Sequence, residues 1–334
     1  MSTCASSPFD HPKADIILRS SDGIDFRVFK LFLALASPFF ETMFELPQPA
    51  DGTSDNTKDS LPVIPVEEDS KILDTFLRFC YPSTLAEDPS LESLTDILAV
   101  LGAARKYSLD LIERKVCQAL VNPKVLEAEP LRCFAIARNA RLKHETMTAA
   151  RWTLRQPLIP VWFSEIELIT ASDLLALLTY HKKCSIAVGP LLANLDWVQS
   201  HYGSSSACTW LLPKSQTSQQ NPPSGFGGGN RSSPVTPSEC GRVCGLSTTA
   251  EFKLWQTAPV AWWATYMKEA FEMLKDRPSG YNVLAEVEKT IQKVRSTGCS
   301  ICSAQVKGNM VEFSNLLALK VDEATASIEL EIDF

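Results

Sequence analysis

Histidine is scarce in this chain. Its four copies, His11, His144, His181 and His201, sit in unrelated contexts. No Gly-x-Ser-x-Gly elbow, His-Glu-x-x-His helix or dinucleotide fingerprint accompanies them. With no base placed beside a nucleophile, the chain reads as a non-enzyme. Basic residues are also in the minority: Lys and Arg number 32 against 39 Asp and Glu, for a net charge of -7. That balance excludes a surface built to neutralise nucleic-acid phosphates, which needs clustered cations. No apolar run approaches the ~20 residues that cross a bilayer, so no membrane span is expected. The opening MSTCASSPFDHPKAD lacks the basic start and apolar core of a signal peptide. The expected location is therefore intracellular, in cytoplasm or nucleus. There the ten cysteines are expected as buried thiols rather than disulfides, because both compartments keep thiols reduced.

What is present is enough to fold. Hydrophobic residues make up 45% and charged residues 21% of 334, ordinary values for a chain with a sizeable core. Length alone predicts about two domains. The organising stretch runs from Asp15 to Phe44. Ile16 and Leu18 alternate with Ile17 and Arg19, Asp22-Gly23 supplies a turn, and Ile24, Phe26 and Val28 alternate with Asp25 and Arg27. This pattern predicts a β-hairpin. A hairpin alone is marginal and needs cover. The helical spacing of Leu31, Phe32 and Leu35 provides it at once. Ser37 is a good N-cap and Pro38 suits the first position of a second helix, which carries Phe39, Phe40, Met43 and Phe44.

That order of elements resembles the opening of a BTB/POZ domain. The family's run of Asp, strand, Asp-Gly turn, Leu, Ser and Phe falls at Asp15, Asp22, Gly23, Leu33, Ser37 and Phe40, while Phe29 stands where the family usually has His. Further on, LPVIPVEEDSKILDTFLRFCYP (61–82) looks like the third strand and third helix of BTB proteins of mushroom-forming fungi. Its two prolines are expected to confine the strand to an edge or bulge. Asp69 or Ser70 is expected to cap the helix, and Glu67-Glu68 to favour its positive end. A helix follows from Ser93, carrying Leu94, Ile97, Leu98 and Leu101 and ending in AARKYSL (103–109), and Leu109, Ile112, Val116 and Leu120 mark the next, with Gly102, Ala103 and Ala104 read as points of close helix approach.

The remaining chain divides by composition. Residues 121–202 read as helices resembling the BACK-type segment of BTB adaptors. Residues 203–246, dense in Ser, Gln, Pro and Gly, read as a disordered linker. Within it lie two candidate phosphorylation dipeptides, Ser233-Pro234 and Thr236-Pro237, and the sequon Asn230-Arg231-Ser232, read as accidental. Residues 247–334 read as a helical region packed on the preceding helices. There Trp262, Tyr266, Ala270 and Leu274 share one face, with Trp263, Met267 and Phe271 beside it. A second helix carries Leu284, Val287, Ile291 and Val294, and an alternating SIELEI segment reads as a closing strand. The fold class expected is α+β: a BTB/POZ fold over 13–120, then a mostly helical region with a short final strand.

One spacing invites a metal. Cys299-x-x-Cys302 is half of a zinc site, and His181-x-x-Cys184, Cys240-x-x-x-Cys244 or Cys208 would have to complete it. No arrangement is a complete local finger, and the expected cofactor is none. The BTB resemblance implies protein–protein interaction, by self-association or by binding one protein partner. Leu31, Leu35, Phe39, Phe40 and Phe44 are the expected interaction surface, because so short a helical hairpin cannot shield them all. Two alternatives follow: a substrate adaptor of a cullin-3 ubiquitin ligase, which Phe29 and the lack of a Kelch-type repeat weaken, and a zinc-bound transcriptional regulator.

Overall fold

The computed structural model describes residues 3–46, 57–91, 93–157, 162–212, 244–245, 247 and 252–334. It forms two compact units: residues 1–149 with 163–169, and residues 150–162 with 170–334.

The first unit is built on a five-stranded mixed sheet in the order β1-β3-β2-β5-β4. The expected hairpin is β2 (Ile16–Arg19) and β3 (Ile24–Val28), in the register Ile16↔Val28 to Arg19↔Asp25. Gly23 closes its turn at φ +83°, a conformation L side chains rarely adopt. Two short strands escaped the sequence reading: β1 (Thr3–Cys4) runs parallel to β3, and β4 (Thr57–Lys58) pairs with β5. β5 (Leu61–Pro65) is therefore not the edge that its prolines suggested. It lies parallel to β2 on one side and carries β4 on the other, so β4 takes the edge. Ile16, Ile17 and Leu18 are all buried. Successive strand residues face opposite sides, so β2 is covered on both faces.

Helices α1 (Lys30–Ala36), α2 (Pro38–Glu45), α3 (Ser70–Cys80), α4 (Leu94–Lys106), α5 (Asp110–Leu120), α6 (Pro123–Ala128) and α7 (Pro130–Asn139) complete this unit, with a short 3-10 turn at Ser164–Leu168. Asp69 is the cap of α3, accepting from the Ile72 N–H at 2.8 Å. Ser70 instead donates backbone and side-chain hydrogen bonds to Asp22 at 2.9 and 2.6 Å, tying the hairpin turn to the helix. Of the three small residues on α4, Ala103 and Ala104 are buried, whereas Gly102 is exposed and a Cβ there would meet nothing within 4 Å. Cys133, Phe134, Ala135, Ile136 and Ala137 are all buried, so α7 is enclosed on every side. Arg132 on the same helix reaches Glu165 of the 3-10 turn at 2.6 and 2.8 Å. The stretch expected as one region over 121–202 is thus divided between the units, and the boundary falls within α8 (Lys143–Thr153).

The second unit is helical: α9 (Ala171–Val188), α10 (Pro190–Ala193), α11 (Asp196–Tyr202), α12 (Ala261–Asp276), α13 (Gly280–Ala285), α14 (Val287–Ser296) and α15 (Ser300–Ala326). The aromatic helix α12 is core: Trp263, Tyr266, Met267, Ala270, Phe271 and Leu274 are buried, and Trp263 meets Phe313 of α15 edge-on at 5.5 Å. Gly280 sits where any Cβ would lie 2.5 Å from the Ala318 carbonyl, so α13 and α15 approach as no other residue would permit. The helix expected around Leu284 and Val294 is two, α13 and α14. α15, the longest helix among the described residues, was assigned no element from sequence.

Two further expectations change. Residues 203–212 are not linker: Cys208 and Leu211 are fully buried in the unit's core, and the Leu211 carbonyl accepts from Val260 N–H at 2.9 Å. Polar composition on either side concealed this short apolar segment. The rest of the expected linker, including Ser233, Thr236 and Asn230, lies outside the described residues apart from Cys244 and Gly245. The closing segment, residues 328–334, forms no strand. Ile328, Leu330 and Ile332 are more buried than Glu329 and Glu331, as alternation demands, yet among the described residues no neighbouring strand supplies a ladder.

Candidate interaction surface

The joint between α1 and α2 decides which side chains face out. Ser37 donates its N–H to Leu33 O at 3.0 Å, closing α1. Its Oγ accepts from Phe39 and Phe40 N–H at 3.1 and 3.4 Å, opening α2. The same hydroxyl donates to the Tyr107 carbonyl at the end of α4. Ser37 is buried, so the joint is pinned inside the unit. Phe29, at the start of α1, packs on Phe32 at 5.5 Å and on His11 at 5.4 Å, and its N–H donates to the Tyr81 hydroxyl at 3.2 Å.

This pinning sorts the expected surface. Leu31 is 62% and Leu35 78% exposed, one turn apart on α1 and thus on one face. Phe39 is 40% exposed, its ring edge-on to Tyr107 at 5.4 Å. Phe44 is half-buried, stacked on Phe40 at 6.0 Å with the Lys30 ammonium 5.7 Å from its ring centre. Phe40 is not a surface residue. It is 1% exposed and stacked on Tyr107 at 5.0 Å, because one step along a helix turns a side chain by about 100° and Phe39 takes the outward position.

Charges behind the hairpin are paired. Lys106 Nζ lies 2.9 Å from Glu67 and 3.0 Å from Glu68, and the Tyr107 hydroxyl also donates to Glu68. Burial opposes charge on Lys106, but its hydrogen bonds to Glu67, Glu68 and Tyr107 outweigh it and raise the pKa. Glu67 and Glu68 are therefore partners of Lys106, where sequence position alone had suggested partners of a helix end. On β3 the fully buried Asp25 is held by Arg19 at 2.6 Å and by Lys58 of β4.

The metal candidates separate. His181 and Cys184 are both buried on α9. His181 Nε2 has no hydrogen-bond partner; burial pushes its pKa down, against hydrogen bonds to the Gln156 and Thr153 backbone and the charge of Asp276. Cys208 is fully buried elsewhere in the core. Among the described residues, one group converges at ligand distances: Cys299 and Cys302 with Cys244. Cys240 lies outside the described residues.

Residues 9–124 match the family model described as BTB/POZ domain, a span running from the segment before β2 through α5 to the first turn of α6. These residues are a BTB/POZ domain, slightly wider than the 13–120 expected. No curated protein matches the chain. The domain marks a protein–protein interaction module, of a type that typically does no chemistry. Among the described residues no helix is long and apolar enough to cross a membrane.

Proposed function

We propose that this BTB/POZ domain binds a second copy of the chain through its α1–α2 hairpin and acts as a non-catalytic adaptor. The observation that supports this is the outward placement of Leu31, Leu35 and Phe39 on a hairpin whose joint is locked from within. Covering an exposed Leu is worth about 1.5–3 kcal/mol. A two-fold contact would use each such residue twice. The surface is also pre-formed, so little ordering entropy opposes association. The likeness to basidiomycete BTB proteins, which rests on residues 61–82, the aromatic helix, the RPSGY turn (277–281) and the closing segment, belongs to the same proposal.

Sedimentation velocity tests it. The full chain at micromolar concentration is expected to run as a dimer, and Leu35→Asp as a monomer with unchanged helical circular dichroism. A wild-type chain that stays monomeric would refute self-association.

A further inference from the structure

The second unit brings three sulfurs together. Cys299, Cys302 and Cys244 place their Sγ atoms within 4.8 Å of one another, although Cys244 and Cys302 are 58 residues apart in sequence. Cys244 and Cys302 Sγ are 3.6 Å apart. Zinc held at Zn–S distances of about 2.3 Å in a tetrahedron spaces its sulfurs by about 3.8 Å. A covalent S–S bond is about 2.05 Å, far shorter than the separation seen.

The backbone on both sides is shaped to deliver them. Gly298 before Cys299 and Gly245 after Cys244 adopt φ of +76° and +68°, bending the chain at each ligand. Cys299 is the N-cap of α15, where its Sγ accepts from the Cys302 N–H at 3.5 Å. The Cys302 amide and the helix N-terminus beneath it both point partial positive charge at the Cys299 sulfur. The other arm is anchored as well. The Ser247 N–H donates to Pro259 O at 2.8 Å, and the Ala261 N–H donates to Gly245 O at 3.3 Å, fixing Cys244 beside the start of α12. Cys299 and Cys302 are buried and Cys244 is half-buried, so an ion would enter from the Cys244 side.

We propose that Cys244, Cys299 and Cys302 bind a zinc ion, as three thiolates of its tetrahedral ligand set, that clips the segment before α12 to the start of α15. Soft thiolates select such an ion over hard cations. Closing so long a loop stabilises the unit by restricting the unfolded chain.

The test uses the full chain, purified under reducing conditions. Elemental analysis is expected to find about one zinc per chain, the stoichiometry of a single tetrahedral site. After chelation, cobalt(II) alone should restore the visible bands of a tetrahedral ion together with a thiolate charge-transfer band. Cys244→Ser, Cys299→Ser and Cys302→Ser should each weaken cobalt binding at least about tenfold, a loss already typical when only a ligand's supporting partner is removed. Cys4→Ser, on an exposed cysteine outside the cluster, should leave binding unchanged. The wild-type spectrum is decisive by itself, whether or not a serine variant folds. Octahedral cobalt bands, no charge-transfer band, copper in place of zinc, or a Cys244–Cys302 disulfide in the non-reducing peptide map of reductant-free protein would each overturn the proposal.

Discussion

Ser37 performs three tasks with one hydroxyl and one amide: it ends α1, begins α2 and holds both to α4. Its capping role was legible, since Ser before Pro at the start of an apolar run has a local cause. Its bond to Tyr107 was not, because that partner is 70 residues away. Ser37→Ala is expected to lower stability by about 1–2 kcal/mol, losing the cap and leaving a buried carbonyl unpaired, as read from the urea midpoint. His181 supplies a second prediction at this scale. Its folded pKa lies below the ordinary 6.5. The unfolded imidazole therefore takes up a proton at a higher pH than the folded one does. Stability from this residue is present above 6.5 and is lost as the pH falls through the folded value. Urea unfolding at successive pH values should show this acid-side loss, and His181→Gln should flatten it. Equal slopes in the two proteins would remove His181 as the cause.

Elements are legible where their pattern is local and long enough to show a period. In α15 the buried positions Cys302, Val306, Met310, Phe313, Leu317 and Val321 recur at steps of three and four. That is a plain helical signal. β1 and β4 carried no comparable signal, since two residues have no period. The 3-10 turn at Ser164–Leu168 depends on a distant partner in the same way. Glu165 is buried, and Arg132 meets it through two nitrogens while also bonding Glu129 at 2.7 Å. The hydrogen bonds from Arg132 hold the Glu165 carboxyl below its ordinary pKa. Arg132→Ala is expected to cost about 3 kcal/mol, because it strands a buried carboxylate. The double variant Arg132→Leu with Glu165→Leu should cost less than Arg132→Ala alone, since neither charge then remains buried. Thermal or urea unfolding of the three proteins decides this.

At the scale of the molecule, self-association makes stability depend on concentration. If α1 and α2 bury Leu31 and Leu35 against a second copy, the melting temperature should rise as the protein is concentrated. Leu35→Asp should abolish that rise, whereas Phe40→Ala should cut stability by about 3–5 kcal/mol as a core cavity does. A melting temperature independent of concentration in the wild type would count against the dimer. The two neighbours on α2 thus separate a surface role from a core role, which their shared chemistry in the sequence did not.

The sequence by itself determined the hairpin, the capped helices, the BTB/POZ character of the amino-terminal part and the buried aromatic helix. The hairpin and the helices follow from spacing, turn chemistry or caps that act over a few residues, and the BTB/POZ character from the resemblance of residues 15–82 to that family. Tertiary structure alone decided that Phe39 faces out and Phe40 in, that Cys208 and Leu211 are core, and that Cys244 meets Cys299 and Cys302. Those outcomes depend on which distant surfaces meet, and periodicity within one element carries no record of its partners.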